Sequence, residues 1–213
     1  MANYSRGTSS NIIVGAAALF VADTTLDADT LADFESSKTF RDTLTNDADY
    51  TNVGYTMNGL EINFQPDFGE VKVDQVLDAA KLYKQGMMVD LKTSFAEATL
   101  ENLLIALAYS SSKLDVSGKA TSAGQALDLS AGDIGECPVE RGLVAVGPGT
   151  GDCANSSTVE RVYTAYRALS IENVTVSAKR DTPSEFAVSF RLLPEDVSGS
   201  YGKIVDRTFT PAS

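Results

Sequence analysis

Residues 86–108 constrain the fold most, because the period of their apolar residues changes within one short segment. From Met87 to Phe95, apolar and polar residues alternate, which predicts a strand with one buried face. Beyond Glu97-Ala98, Thr99 is a favourable helix N-cap. Four leucines then follow the spacing of one helical face: Leu100, Leu103, Leu104 and Leu107. The pattern predicts a strand that leads into a short helix, with these leucines packed on the buried face of the sheet.

The same segment resembles the major tail tube proteins of long-tailed, non-contractile bacteriophages. An alternating strand, Glu97 and the run Thr99-Leu-Glu-Asn-Leu103 occur in the order found in that family. Three further segments continue the resemblance in matching order: Asn52–Ile62, Gly69–Gln75 and Phe186–Asp196. Together they cover roughly half of the chain.

The resemblance implies a mainly β fold, a β-sandwich or barrel with one flanking α-helix and long loops. It implies one tail tube domain over residues 1–213, with a long polar loop at 23–49 and a polar segment at 110–136. The implied function is structural: the chain is made in the host cytoplasm, and its copies form hexameric rings that stack into the tail tube of the virion. Its implied partners are other copies, other tail proteins at the tube ends, and DNA that passes through without specific binding.

The composition argues against an enzyme, because the chain has no histidine and so lacks the commonest general base and zinc ligand. The glycine-rich run Gly147–Gly151 resembles part of a phosphate-binding loop. However, Asp152 and Cys153 stand where a P-loop needs Lys and Ser or Thr. The aspartates between Asp23 and Asp33 lack the spacing of a calcium loop. We therefore expect no catalytic site, cofactor or metal. A small enzyme or nucleotide binder remains an alternative, which rests on Gly147–Gly151 alone.

The charge pattern bears on the lumen of such a tube. The chain has 29 acidic and 17 basic residues, a net charge of −12, and an acidic surface repels DNA. Glu61 and Asp90 lie on the polar faces of predicted strands, and the resemblance makes them candidates to line the lumen as a negative belt. The alternative places both on the outer, solvated surface.

The N-terminal apolar run leaves a second function open. Residues 12–22 are predicted to form a strand buried on both faces, with Gly15 at a bulge or close approach. Read instead as a signal peptide, the run would indicate a secreted or surface β-domain such as an adhesin or fimbrial subunit. An oxidised Cys137–Cys153 pair would support that alternative, whereas free thiols are the expectation for a protein made in the cytosol. The run is too short to span a bilayer.

The remaining elements follow from local patterns. Alternation on both sides of Asn58-Gly59 predicts a hairpin over residues 53–64, and Pro66 ends its pairing or places it at a sheet edge. Val71 and Val73 indicate a strand, and residues 75–85 a short helix or a loop. One helical turn is expected at residues 29–34. Five later strands are predicted at 141–146, 160–169, 171–178, 184–193 and 202–209.

Overall fold

The structure, a computed structural model, describes residues 11–27, 34–115, 124–132, 134–135, 137–150, 158–176, 180–181 and 183–210. Two α-helices form in these ranges: α1 (Phe40–Thr45) and α2 (Leu100–Ala106). The strands are β1 (Ala18–Ala22), β2 (Tyr50–Asn52), β3 (Thr56–Val71), β4 (Lys81–Phe95), β5 (Leu114–Asp115), β6 (Ala126–Leu127), β7 (Arg141–Pro148), β8 (Val159–Ser170), β9 (Phe186–Leu193) and β10 (Gly202–Thr208).

Eight strands form one antiparallel sheet in the order β2-β1-β7-β8-β9-β4-β3, with β10 also paired to β8. Strand β8 belongs to two half-sheets, because β10 pairs with residues 159–165 and β9 with residues 167–170. The first half-sheet contains β2, β1, β7, β8 and β10, and the second contains β8, β9, β4 and β3. The short strands β5 and β6 pair separately.

The two half-sheets face each other across the main core, so the sheet folds into a sandwich. Leu19 and Leu143 of the first half-sheet share this buried cluster with Leu91 and Phe190 of the second. A second cluster lies on the outer face of the first half-sheet, where α1 covers Phe20 and its neighbours. The expected mainly β fold with a flanking helix is confirmed. The second helix, α1, was not expected.

The predicted passage from strand to helix is confirmed at β4 and α2. Thr99 is the N-cap of α2, and its side chain accepts a hydrogen bond of 3.2 Å from the Asn102 amide. Ile105 and Ala106 are buried in the main core, although the leucine pattern did not point to them. The helix is short, so its docking depends on these tertiary contacts and not on helix propensity.

The predicted hairpin at 53–64 is wrong, because β3 runs through Asn58-Gly59 without turning. Both residues have left-handed backbone angles, with φ of 64° and 70°. The register changes there, from Met57 opposite Ser94 to Glu61 opposite Lys92, which leaves extra residues on β3. The Asn-Gly pair therefore forms a bulge in β3. Two residues with left-handed backbone angles fit a bulge as well as a hairpin turn. The hairpin turn lies between Val71 and Lys81 instead.

The N-terminal strand is shorter than predicted, because only Ala18–Ala22 pairs and is buried. Ile12 and Val14 are 69% and 84% exposed. The close approach expected at Gly15 is confirmed, since a Cβ there would lie 2.7 Å from Cγ of Pro148. A side chain at this position would push Pro148 away from the chain that leads into β1.

The polar segment at 23–49 is partly core, because Leu26, Phe40 and Leu44 are buried in the second cluster. The helical turn predicted at 29–34 lies outside the described residues except for Phe34. The polar segment at 110–136 contains β5 and β6. The strand predicted at 171–178 is wrong over 171–176, which is not paired, and its last residues lie outside the described ranges. The other four late strands are confirmed as β7 to β10, with shifted ends.

Candidate interaction surfaces

The hairpin of β3 and β4 extends beyond the rest of the sheet. Strand β9 pairs with β4 only from Val89 to Phe95, whereas β3 pairs with β4 as far as Lys81. We call residues 65–87 the arm. Strand β3 ends the large sheet: one of its edges pairs with β4, and no described residue pairs with the other edge. Pro66 lies in this edge strand, which confirms the prediction that it lies at a sheet edge and not the alternative that it ends the pairing.

One face of the arm exposes large apolar side chains, together with two charged ones, Glu70 and Lys84. Successive residues of a strand point to opposite faces, so Phe64 and Phe68 share the face that continues the main core. Leu82 lies directly opposite Glu70, which is two residues after Phe68 in β3, so Leu82 is on the same face as Phe68. Phe68 is 54% exposed and Leu82 is 60% exposed. Large exposed hydrophobic side chains that lie together are typical of interaction surfaces.

The apolar face of the arm runs into an open cleft between the half-sheets. One cavity of about 140 Å³ lies between Ile62 and Phe64 of β3 and Tyr201 and Ile204 on the side of β10. A neighbouring cavity of about 340 Å³ also includes Ile62, Phe64 and Ile204, and reaches the N-terminal segment at Ile13. The arm and the cleft are therefore two connected apolar surfaces of the same sandwich.

The opposite, polar face of the second half-sheet carries both lumen candidates. Glu61 is exposed and lies opposite Lys92 in the strand register. Asp90 lies opposite Arg191, with 3.8 Å between its Oδ1 and the Arg191 Nη1. We call this surface, on β3, β4 and β9, the polar face. The cross-strand neighbours of its two carboxylates are thus both cations, Lys92 and Arg191.

Asp90 is less accessible than the sequence predicted. The residue is only 6% exposed, and its Oδ1 has no hydrogen-bond partner. The nearest cation to this buried carboxylate is Arg191. Of the two candidates, Glu61 is the one that a molecule outside the protein can approach.

The helix leucines differ in their burial. Leu104 lies in the main core with Val89, Leu91 and Phe95, and Leu103 packs at the edge of that cluster. Leu100 and Leu107 are half-buried.

Replacing Leu104 by Ala is expected to lower the free energy of unfolding by about 2–5 kcal/mol, because it leaves a cavity in the core. Urea denaturation measures this loss, and Leu107→Ala is the control, with an expected cost below about 2 kcal/mol. Equal, small losses for both variants would contradict the packing.

Sequence reasoning missed Asn102, which is buried and holds two segments together. Its side-chain amide donates 2.9 Å hydrogen bonds to the carbonyl oxygens of Val53 and Glu97. An asparagine on a short helix gives no signal of this role, because the carbonyl from Val53 comes from a distant part of the sequence. Buried backbone groups need such partners, so Asn102 fixes α2 to the link between β2 and β3.

The described residues contain no group of three His, Cys, Asp or Glu side chains that could hold a metal ion. Asp29, Asp33 and Cys153 lie outside the described ranges, so the acidic loop and the proposed cysteine pair are not described. Cys137 is an exposed free thiol.

Within the ranges described, no helix is both long and apolar enough to span a membrane.

Comparison with known proteins identified no relative of this chain. No family model matches the sequence. No curated protein matches it either.

Proposed function

We propose that this chain is a structural subunit that assembles with its own copies into stacked rings, hexameric as in the tail tubes it resembles, and so forms the tail tube of a virion. The observation that carries the proposal is the arm, with Phe68 and Leu82 exposed on one face. Full burial of such a side chain is worth about 1.5–3 kcal/mol, and a monomer that left these half-exposed side chains in water would forgo roughly half of that for each one. Burial against another copy recovers this energy.

The arm and the cleft permit rings. They are different surfaces of one molecule, so an arm-to-cleft contact that the neighbour does not return is heterologous, whereas a returned contact closes a two-fold dimer. Heterologous contacts continue from copy to copy until they close into a ring or extend as a filament. The free edge of β3 offers further backbone pairing to a neighbouring copy.

The same proposal gives the polar face a role in the passage of DNA. A lumen wall with balanced charges holds DNA weakly, because it offers few uncompensated cations to the phosphates. Glu61 keeps this balance against Lys92. We propose that the polar face lines the tube and that Glu61 contributes to its low affinity for DNA.

Replacing Glu61 by Lys tests that assignment. The change from a carboxylate to an ammonium raises the net charge of each copy by two units. In a ring, the total increase is two units times the number of copies. We expect assembled Glu61→Lys material to sediment with duplex DNA at low salt and to release it at high salt, whereas the unaltered protein does not bind. Asp49→Lys, at an exposed residue next to β2 in the first half-sheet, is the control with the same charge change. Equal DNA binding by both variants would contradict the assignment.

Sedimentation velocity over a range of protein concentrations tests the assembly itself. The proposal predicts species larger than a monomer, with a fraction that rises with concentration. A single monomer boundary at every concentration would contradict it.

A further inference from the structure

A polar cluster outside these surfaces joins the C-terminal strand to the segment before α1. Arg207 of β10 lies at its centre, and 3.1 Å separates its Nη1 from Oε1 of Glu160. The Arg207 guanidinium also donates hydrogen bonds to the carbonyl oxygens of Glu35 and Lys38. The side chains of Arg207 and Glu160 are both more than nine-tenths buried. One side chain of β10 thus holds a segment about 170 residues away in the sequence.

Two aromatic rings and a backbone hydrogen bond complete this contact. The guanidinium carbon of Arg207 lies 5.3 Å from the ring centre of Phe34 and 5.8 Å from that of Phe209. Such cation–π contacts are strongest where water is excluded. The amide of Thr210 donates a 2.9 Å hydrogen bond to the carbonyl oxygen of Ser36. The end of β10 and residues 34–38 therefore pack on each other.

Glu160 extends the cluster into α1. Its Oε1 accepts a 2.7 Å hydrogen bond from the amide of Phe40, the first residue of the helix. Burial raises the pKa of Glu160, while the Phe40 amide and Arg207 lower it and Asp42 raises it. The buried carboxylate therefore depends on one hydrogen-bond donor, the Phe40 amide, and one cation, Arg207, and loss of Arg207 leaves it buried without a counter-ion.

Strand β10 lies at the margin of the sheet. Among the described strands it pairs with β8, over residues 202–208, lies off the main path of the sheet, and has only exposed or half-buried side chains. Helix α1 has six residues, which is too short to be stable alone. Elements with few buried contacts open before the core does.

We propose that β10 and residues 34–46 form one strap, closed by the Arg207–Glu160 pair, that opens as a unit while the interior between the half-sheets stays folded. Opening uncovers the outer apolar face of the first half-sheet, where Phe20 and Val144 are otherwise buried.

Native-state hydrogen exchange of the intact protein, resolved by residue, tests the strap. In the unaltered protein, amides of α1 and β10 are expected to share one opening free energy, smaller than that of β4 and β9. Arg207→Gln is expected to speed exchange in both α1 and β10 by about 100-fold or more, since it leaves Glu160 buried and unpaired. Exchange in β4 and β9 should not change. Arg207→Lys keeps the charge but loses the bonds to Glu35 and Lys38, and an intermediate effect is expected.

Asp206→Asn is the matched control. It removes the ion pair between Asp206 and Arg161 on the same two strands, where the Asp206 side chain is 48% exposed. The expected change in α1 exchange is below about 5-fold, because exposed ion pairs contribute little. The strap is overturned if α1 and β10 open with different free energies, or if Arg207→Gln speeds exchange in β10 alone. Equal acceleration in β4 and β9 also overturns it, since the whole domain would then open at once.

Discussion

Replacing Phe68 and Leu82 together by serine is expected to abolish self-association and leave a folded monomer. Both side chains are more than half exposed in the monomer, so their removal costs little in folding. In an assembly, burying the exposed half of each side chain contributes roughly 1 kcal/mol, so the double variant weakens each contact by about 10-fold or more. Sedimentation velocity measures the loss, and circular dichroism with thermal unfolding checks the fold.

Val71→Ser is the matched control for this variant. Val71 lies on the same hairpin and is 41% exposed, but strand alternation places it on the opposite face from Phe68. We expect Val71→Ser to assemble like the unaltered protein. If the double serine variant still assembles normally, the apolar face of the arm is not the contact between copies.

Replacing Phe40 by Ala is expected to lower the free energy of unfolding by about 3–5 kcal/mol. The Phe40 ring is fully buried between α1 and the first half-sheet, so the smaller side chain leaves a cavity. Urea denaturation followed by circular dichroism measures the loss. The result would show that the segment at 23–49 stabilises the domain and is not a detachable loop.

Phe34→Ala controls for the loss of an aromatic ring in the same segment. The ring centres of Phe34 and Phe40 lie 4.5 Å apart, but Phe34 is 39% exposed. Its expected cost is below about 2 kcal/mol, because much of its ring is already in water. A loss below about 1 kcal/mol for Phe40→Ala would contradict the packing of α1.

The sequence predicted elements whose signals are local. The alternation from Met87 to Phe95 and the N-cap at Thr99 correspond to β4 and α2, because both signals depend on neighbouring residues only. The turn at Asn58-Gly59 was misplaced, since the same two left-handed residues fit a bulge or a hairpin. Only the partner strand decides between them. That partner, β4, continues through this region as a single strand.

The candidate surfaces depended on contacts that the sequence does not show. Alternating apolar residues in the arm look like any half-buried strand, and the short reach of β9 is what leaves Phe68 exposed. Asp90 resembled a solvated carboxylate, but it is buried, and its nearest cation, Arg191, comes from another strand. Arg207 and Glu160 meet the segment before α1 across more than a hundred residues, beyond the reach of local patterns.

Negative-stain electron microscopy of the purified full-length protein tests the central claim, assembly into stacked rings, most directly. The account predicts rings or tubes with a central channel for the unaltered protein and for Val71→Ser, and dispersed particles for the double variant at Phe68 and Leu82. Dispersed monomers of the unaltered protein at its highest soluble concentration, or identical tubes from the double variant, would contradict the account.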